Sequence, residues 1–307
     1  MGCGMSDLVR IGVDLGGTKI EALALDSSGH ILGRLRTPTP GHDYRAIVAA
    51  IGTLVRNLET SIGRTGTVGV GIPGTISPAS GLVKGANTVC LIGHALDRDL
   101  SDELSREVRL ANDANCFALS EAVDGAGAGA GVVFGAILGT GTGGGTVVDG
   151  RILTGPNAIA GEWGHNPLPW PEDDERPGIA CYCGRHGCIE TFLSGPGLSR
   201  DHWQRTGEKT NPQVLGQRAQ AGDPSARASI ERYEQRLARA LATVINMIDP
   251  DVIVLGGGVS NLERLYRTVP ELWGEWVFSD TVVTPLRKAT NGDSSGVRGA
   301  AWLWPPG

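Results

Sequence analysis

The sequence predicts an α/β protein built from two lobes. Short apolar runs typical of strands alternate with helical periodicities along the chain. A unit of a strand, a Gly/Thr turn and a second strand occurs twice, at residues 8–25 and again at residues 132–148. The repeat predicts a duplicated domain whose turns face each other across a cleft. No long linker divides the chain, so we expect the two lobes to pack together.

The composition excludes several classes of protein. The chain has 307 residues and a net charge of −6, from 27 Lys+Arg and 33 Asp+Glu, and it lacks the basic run expected of a nucleic-acid-binding protein. Its 47 glycines follow no three-residue period, which excludes a collagen-like chain. Residues 125–148 carry no charge but are rich in glycine, so we interpret them as a strand between glycine loops rather than a membrane span. No secretory signal is recognisable, and we expect a cytoplasmic location.

The first lobe is expected to cover residues 10–122, after an N-terminal extension over residues 1–9. It begins with an antiparallel meander whose predicted strands are 8–15, 20–25 and 31–35. An amphipathic helix follows, with apolar residues spaced by three and four between Ile47 and Ile62. Buried strands are predicted at 67–72 and 108–111, and a helix at 114–122. The C-terminal segment 290–307 is expected to complete this lobe.

The second lobe is expected over residues 123–289, with a zinc-binding loop at 161–190. A strand over 132–138, a turn over 139–145 and a return strand from Thr146 repeat the opening unit. A long helix begins after Asp223-Pro224, an N-cap followed by a proline at the first helical position. It ends at Asp249-Pro250, and the strand 252–255 leads into a third glycine turn.

Three glycine-rich turns follow apolar strands, at residues 14–19, 139–145 and 256–260. Glycine lets backbone N–H groups approach a phosphate closely, and Thr hydroxyls add donors. Neither the P-loop spacing nor the dinucleotide-binding spacing is present. One such turn alone is typical of an ordinary tight turn. Three of them, with Asp14 suited to hold a hydrated Mg²⁺, favour a site for a nucleoside triphosphate.

Asp113 lies at the end of a buried strand, within the sequence LANDAN. A carboxylate held there can accept the proton of a substrate hydroxyl while the hydroxyl oxygen attacks phosphorus. The alternative is that Asp113 is only the N-cap of the following helix. Asn112 and Asn115 add amide groups of the kind that hydrogen-bond to sugar hydroxyls.

Four side chains are suited to a closed tetrahedral zinc site: His165, Cys181, Cys183 and Cys188. The set leaves no open position, which favours a structural ion; the alternative is a group of buried free thiols with an unrelated histidine. Glu162 and Glu190 flank this set. Held in place by the metal loop, they would accept hydrogen bonds from sugar hydroxyls, although a single glutamate is more often a solvated surface residue.

The chain resembles the ROK sugar kinases (repressor, open reading frame, kinase) from about Arg10 to Trp304. The motifs that carry the resemblance are DLGGTKIE at 14–21, GIPG at 71–74, LANDANCFALSEA at 110–122, LGTGTGGG at 138–145, GEWGHNPLP at 161–169, CYCGRHGCIETFLSG at 181–195, DPDVIVLGGGVSN at 249–261 and GDSSGVRGAAWLW at 292–304. Within the family, GEWGHNPLPW and the closing GDSSGVRGAAWLWP are most similar to bacterial fructokinases. Thr142 departs from them, since the similar fructokinases carry Cys at this position.

The resemblance implies the two-lobed actin-like ATPase fold, a duplicated ribonuclease H-like architecture with its active site between the lobes. It implies ATP and Mg²⁺ as the phosphoryl donor, a structural Zn²⁺ and a D-hexose as the acceptor. Asp113 falls on the family's catalytic base, and the sugar-contact positions are Asn87, Asn112, Asp113, Glu162, His165 and Glu190. Because His165, Cys181, Cys183 and Cys188 fall on the zinc ligands, His165 would serve both zinc and sugar. The nucleotide-binding positions are Gly12, Asp14, Gly16, Gly17, Thr18, Lys19, Gly139, Thr140, Gly141, Thr142, Gly143, Gly144, Gly256, Gly257 and Gly258.

We therefore expect an ATP-dependent fructokinase that produces fructose 6-phosphate, with mannose and glucose as weaker substrates. The first alternative is a kinase for another hexose: N-acetylmannosamine, N-acetylglucosamine or glucose. A sugar-responsive transcription repressor of the same family is disfavoured by the short segment before the first strand and by the absence of a basic patch. A structural zinc module with an inactive cleft is the remaining alternative. The resemblance also implies a homodimer that binds sugar and ATP, but neither nucleic acid nor membrane.

Overall fold

The computed structural model describes residues 8–41 and 43–305, so residues 1–7 of the expected N-terminal extension lie outside the described residues. The strands are β1 (Arg10–Leu15), β2 (Lys19–Leu25), β3 (Ile31–Pro38), β4 (Thr67–Ile72), β5 (Thr75–Ile76), β6 (Val83–Lys84), β7 (Val108–Asn112), β8 (Val132–Leu138), β9 (Thr142–Val148), β10 (Arg151–Ile152), β11 (Val252–Gly256) and β12 (Leu286–Lys288). The α-helices are α1 (Tyr44–Ile62), α2 (Leu96–Leu104), α3 (Asp113–Asp124), α4 (Ile189–Leu193), α5 (Gly195–Thr206), α6 (Pro212–Gln220), α7 (Pro224–Ile248), α8 (Leu265–Trp273) and α9 (Ser295–Ala301). None of the helices in the described ranges is long and apolar enough to cross a membrane.

The chain divides into two compact units. The first contains the described residues up to Gly125, together with residues 150–160 and the C-terminal segment from residue 293. The second contains residues 126–149 and 161–292. The sequence placed residues 150–160 in the second lobe, whereas their contacts place them in the first unit.

The first unit is built on a five-stranded sheet in the order β3-β2-β1-β4-β7. β1 is antiparallel to β2 and parallel to β4, and β4 is parallel to β7. Asp14 on β1 lies opposite Gly71 on β4, which in turn lies opposite Ala111 on β7. Because parallel strands end at one edge of a sheet, this register brings Asp14 and the residues that follow β7 to the same edge.

The sheet of the second unit repeats this arrangement. Within the unit its order is β9-β8-β11-β12, with β8 antiparallel to β9 and parallel to β11, and β11 parallel to β12. The strand, turn and strand at residues 8–25 therefore match those at residues 132–148 in topology as well as in sequence pattern. In each sheet, the first strand of the hairpin is followed in sheet order by two further strands that are parallel to it.

The return strand of the second hairpin begins at Thr142, four residues before the predicted start at Thr146. Gly143, Gly144 and Gly145 are strand residues that pair with Ile137, Ala136 and Gly135 on β8, so the turn is shorter than the sequence suggested. The indole of Trp163 explains why Gly144, in the middle of these strand residues, is glycine. It lies 2.8 Å from the position that a Cβ of Gly144 would occupy, so no side chain fits between them.

Gly12 packs helix α9 onto the sheet. It lies buried in the middle of β1, and an added Cβ would overlap with the carbonyl oxygen of Val297 in α9. The resemblance placed Gly12 among the nucleotide-binding residues, and that role stays a prediction; the structure shows Gly12 buried where β1 meets α9. Its lack of a side chain allows the close approach of helix and strand.

A buried ion-pair network ties the polar loop before the cysteines to helix α7. The carboxylate of Glu175, in the 3-10 turn Asp173–Glu175, accepts hydrogen bonds from Arg236 Nε at 2.6 Å and from Arg239 Nη2 at 2.9 Å. All three side chains are buried. Removing one partner from such a network leaves an uncompensated buried charge, so this loop is firmly held before the chain reaches the cysteine cluster.

Candidate active site

Two carboxylates lie at the carboxyl edge of the first unit's sheet. Asp14 is the last residue but one of β1, and Asp113 is the first residue of α3, directly after β7. Burial, followed by the negative charges of Asp113 and Glu21, raises the pKa of Asp14 to about 6. Burial, followed by the negative charges of Asp14 and Asp113, also raises the pKa of the Cys116 thiol. A cation placed beside Asp14 and Asp113 would relieve their mutual repulsion, so these residues fit a Mg²⁺-associated phosphate group.

The N-cap of α3 is Asn112, so the alternative that made Asp113 the cap is wrong. Asn112 has extended backbone angles, and its Oδ1 accepts a hydrogen bond from the Ala114 N–H at 2.9 Å. Asp113 is instead the first helical residue, with an exposed carboxylate whose Oδ1 accepts from the same N–H at 2.8 Å. At this exposed position an ionised carboxylate can accept a proton from a hydroxyl group.

The turn that follows β4 holds two of the expected sugar contacts near one another. Gly74 has a left-handed backbone (φ 93°), and an added Cβ would lie 2.6 Å from the carbonyl oxygen of Lys84. On its other side, Asn112 Nδ2 donates to the carbonyl oxygen of Gly74 at 3.2 Å. Asn87 is exposed and follows the Lys84–Ala86 segment directly. Asn112 thus contacts Gly74 directly, and Asn87 directly follows the segment that packs against Gly74.

The first glycine turn presents exposed backbone beside Asp14. The N–H of Gly16 donates to the carbonyl oxygen of Lys19 at 3.0 Å, and the hydroxyl of Thr39 donates to the carbonyl oxygen of Gly16 at 2.7 Å. Gly17 and Thr18 are exposed, as is Lys19. The turn is therefore fixed at its base and open at its tip, as a phosphate-binding turn requires.

In the second unit, the other two glycine turns border a cavity of about 420 Å³. The turn residues that line it are Gly139, Thr140, Gly258 and Val259, and the remaining wall consists of Gly195, Pro196, Ser199, Pro212 and Gln213. The turns are packed together, since Gly257 has φ 83° and an added Cβ would lie 2.5 Å from the carbonyl oxygen of Leu138.

Two helix N-termini complete the wall of this cavity. Helix α5 begins with Ser194, whose hydroxyl accepts a hydrogen bond from the Gly197 N–H at 3.1 Å, and α6 begins with Asn211, whose Oδ1 accepts from Val214 N–H at 2.9 Å. The first turns of both helices line the cavity. Helix N-termini and glycine turns both present N–H groups to anions, so the cavity suits a phosphorylated ligand.

Glu190 connects the cysteine loop to the glycine turn at residues 139–141. Its Oε2 accepts a hydrogen bond from the Thr142 N–H at 2.9 Å. An added Cβ at Gly141 would lie 2.6 Å from that oxygen, so only glycine leaves room for the contact. One carboxylate oxygen of an expected sugar contact is thus engaged by the backbone directly after this glycine turn.

The four expected zinc ligands are brought together. The ligand atoms of His165, Cys181, Cys183 and Cys188 all lie within 4.8 Å of one another. Cys183 Sγ is 3.6 Å from Cys188 Sγ, and Cys181 Sγ is 3.6 Å from His165 Nδ1. Zn–S bonds of about 2.3 Å place two tetrahedral sulfurs roughly 3.8 Å apart, whereas a disulfide needs about 2.05 Å. The cluster therefore fits zinc, and the alternative of free thiols with an unrelated histidine does not explain this arrangement.

The cysteine loop also carries an exposed tyrosine that the sequence analysis did not single out. The Tyr182 hydroxyl lies 2.9 Å from Nε2 of His165, and the two rings meet edge to face, with centroids 5.1 Å apart. Although 84% of the side chain is exposed, partial burial against the loop raises the pKa of Tyr182 to about 12, with further contributions from nearby groups that include Glu190 and Glu162. Glu162 is itself exposed, next to the 3-10 turn Trp163–His165. Four polar side chains of the second unit thus share one surface.

The chain belongs to the ROK family, whose model matches residues 10–306. It is 41% identical to an N-acetyl-D-glucosamine kinase of Yersinia pseudotuberculosis over 299 residues, which cover 95% of this chain and 97% of the relative. The structure is similar to that of a ROK hexokinase from Thermus thermophilus, with a TM-score of 0.84, 32% identity, and 96% and 97% of the two chains covered. It is also similar to a ROK family glucokinase from Streptomyces griseus in complex with glucose and AMPPNP, with a TM-score of 0.78, 28% identity, and 97% and 100% covered. The ATP-dependent sugar kinase class and the two-lobed α/β fold expected from the sequence are confirmed.

Sequence reasoning missed two groups of residues. The helix starts at 194–196 and 211–212 carry a recognisable signal, an N-cap residue followed by proline. That signal predicts two helix N-termini, but it does not predict that they border one cavity with the glycine turns. Tyr182 carries no signal of its own, because the cysteines on either side of it explain the local sequence.

Proposed function

We propose that this chain transfers the γ-phosphoryl group of ATP to a hydroxyl group of an N-acetylated hexosamine, with N-acetyl-D-glucosamine as the first candidate. Asp113 carries the chemistry. Its carboxylate, exposed at a helix N-terminus, accepts the proton of the hydroxyl as that oxygen forms its bond to the γ-phosphorus. The bond from the γ-phosphorus to the bridging oxygen breaks, and ADP leaves with the electron pair.

The nucleotide is proposed to bind to the glycine turns. Those at 139–141 and 256–258, with the first turns of α5 and α6, offer N–H groups around a cavity large enough to accept part of a nucleotide. The turn at 16–18 would contribute further N–H groups. Asp14 would hold Mg²⁺ through water, and this ion would neutralise charge on the phosphates.

The sugar is proposed to contact Asn87, Asn112, Glu162 and Glu190, while both ring nitrogens of His165 are engaged within the cysteine loop. Carboxylates accept hydrogen bonds from hydroxyls, and the two amides both donate and accept, so the set can read several hydroxyls at once. Zinc, bound by His165 and the three cysteines, would fix the loop that carries Glu162 and Glu190. The closed set of four ligands gives the ion a structural task rather than a catalytic one.

We base the choice of N-acetyl-D-glucosamine as the acceptor on the similar proteins rather than on the short sequence motifs. The N-acetyl-D-glucosamine kinase match extends over nearly the whole of both chains, whereas fructose, the acceptor expected from the sequence, rests on two short motifs. Fructose is therefore our second candidate. One or two hydrogen bonds in a pocket separate such substrates.

A panel of hexoses and N-acetylhexosamines, assayed by ADP release, tests the proposal. We expect the highest kcat/KM for N-acetyl-D-glucosamine and a loss of at least a hundredfold in turnover for Asp113→Asn, since general-base catalysis is typically worth 10²–10⁴. Asp280→Asn is the matched control, because Asp280 is an exposed loop residue of the second unit and is not among the proposed site residues. A preference for fructose would favour the second candidate. Turnover of Asp113→Asn within about tenfold of wild type would contradict the general-base role.

The expected homodimer stays a prediction. Measuring the molar mass of the purified chain in solution will test it.

A further inference from the structure

We propose that Tyr182 is a sugar-contacting residue that helps to determine which hexose is accepted, its hydroxyl donating a hydrogen bond to a sugar hydroxyl. The proposal rests on the proposed function of the same site. It adds a residue to which no motif or comparison assigns a role.

The placement of Tyr182 is the first argument. Cys181 and Cys183, on either side of it, both turn their sulfur atoms toward the metal cluster. The tyrosine side chain between them is 84% exposed, and its only hydrogen bond to a described residue joins its hydroxyl to His165 Nε2 at 2.9 Å. A large aromatic ring held at the surface by a single polar contact does not serve core packing.

The second argument is the direction of that hydrogen bond. Nδ1 of His165 faces the sulfur of Cys181 at 3.6 Å and is the nitrogen positioned for the metal. A metal-ligating histidine carries its proton on the other nitrogen and donates it to an outer partner. Nε2 therefore donates to the phenol oxygen, and the phenol proton is left to be donated outward.

The third argument is chemical complementarity. The charges of Glu162 and Glu190 act on the Tyr182 phenol. An ionised carboxylate accepts hydrogen bonds but cannot donate them. A sugar hydroxyl that donates its proton to a carboxylate can still accept a hydrogen bond at its oxygen, and this bond requires a donor from the protein. Tyr182 supplies one beside both carboxylates, and its ring offers an apolar face to the C–H groups of a sugar. Because the positions of hydroxyls differ between hexoses, one such donor discriminates among them.

Two substitutions separate the hydroxyl from the ring. Tyr182→Phe removes only the donor, and Tyr182→Ala removes the donor and the apolar face. Phe278→Ala is the control, because it also removes a fully exposed aromatic side chain, on another loop of the second unit. The measurements are KM and kcat for each hexose of the panel, KM for ATP, sugar affinity by calorimetry without nucleotide, and zinc content.

We expect Tyr182→Phe to raise the KM of the preferred sugar about two- to tenfold, the range of one neutral hydrogen bond. Zinc content and the KM of ATP should stay at wild-type values. Tyr182→Ala should raise the sugar KM further and change the order of preference in the panel. Phe278→Ala should change none of these quantities.

Wild-type sugar affinity and wild-type preference in both Tyr182 variants would overturn the proposal. So would a loss of sugar affinity that follows a loss of zinc, because Tyr182 would then be a structural part of the metal loop. Failure of the wild type to phosphorylate any sugar in the panel would count against the proposed kinase function instead. Calorimetry with the same sugars would still decide the role of Tyr182.

Discussion

Replacing Gly141 by alanine should weaken the binding of both ATP and the sugar by breaking a single contact. An added Cβ would lie 2.6 Å from Oε2 of Glu190 and 3.6 Å from its Cδ. The obstructed atoms are the far end of a flexible side chain, so the first response is a displacement of the glutamate. Moving it breaks the hydrogen bond from the Thr142 N–H to Glu190.

The magnitude follows from the nature of that bond. A hydrogen bond to a charged group contributes about 1.5–3 kcal/mol. If the transition state needs this arrangement, re-forming it costs the same free energy, and roughly 1.4 kcal/mol for each factor of ten gives about a ten- to hundredfold fall in kcat/KM. The KM of ATP should rise because the 139–141 turn loosens, and the KM of the sugar should rise because Glu190 is displaced.

Steady-state kinetics of a double-mutant cycle with Glu190→Ala provide the assay. If Gly141→Ala acts through Glu190, it will lower kcat/KM only slightly in the Glu190→Ala background. The free-energy effects of the two substitutions will then not be additive. Gly274→Ala is the control, since Gly274 has helical backbone angles and no atom lies within 4 Å of the added Cβ. Unchanged kinetics in Gly141→Ala, or full additivity with Glu190→Ala, would refute this reasoning.

Two further predictions concern Asp14 and the metal cluster. Burial and Asp113 raise the pKa of Asp14 from its ordinary value of 3.8 to about 6. Between these two values the folded state holds a proton that the unfolded state has lost, so stability falls as the pH rises from about 4 to 6, and the loss is complete above pH 6. Asp14→Asn should therefore raise the free energy of unfolding at pH 7.5 by on the order of 2–3 kcal/mol and hardly at all near pH 4, by urea titration, while kinase activity falls. Purified protein should contain one zinc ion per chain by mass spectrometry, and removing it with a chelator should lower the unfolding temperature and abolish turnover.

Each of these two predictions has a result that contradicts it. An equal stabilisation by Asp14→Asn at both pH values would show that ionisation of Asp14 is not the cause. Fully active enzyme without zinc would show that the ion is not needed to hold the loop with Glu162 and Glu190. Cys183→Ser supplies a second test of the cluster, since it removes one ligand and should lower zinc content without direct contact with ATP.

The local motifs were sufficient to predict the zinc ligands and the glycine turns. Three cysteines within eight residues are hard to explain by core packing, and the structure places their sulfur atoms around one point with His165. The repeated hairpin was also readable, because a strand's apolar run and its glycine turn are both local features. The start of β9 was misplaced because glycine usually marks a turn, whereas here the glycines are strand residues and Trp163 leaves no room for a side chain at Gly144.

The sequence by itself determined the family, the glycine turns, the four residues of the His/Cys cluster and the position of Asp113, because each depends on residues that are adjacent or closely spaced in the chain. Only the tertiary structure decided that Gly12 accommodates helix α9, that Asn112 rather than Asp113 caps α3, and that Glu190 holds the 139–141 turn. It also decided that two helix N-termini border the cavity at the glycine turns and that Tyr182 lies against His165. These features depend on contacts between segments distant in the chain, or on the direction in which one side chain points. Neither is written in the local pattern of apolar, glycine and polar residues.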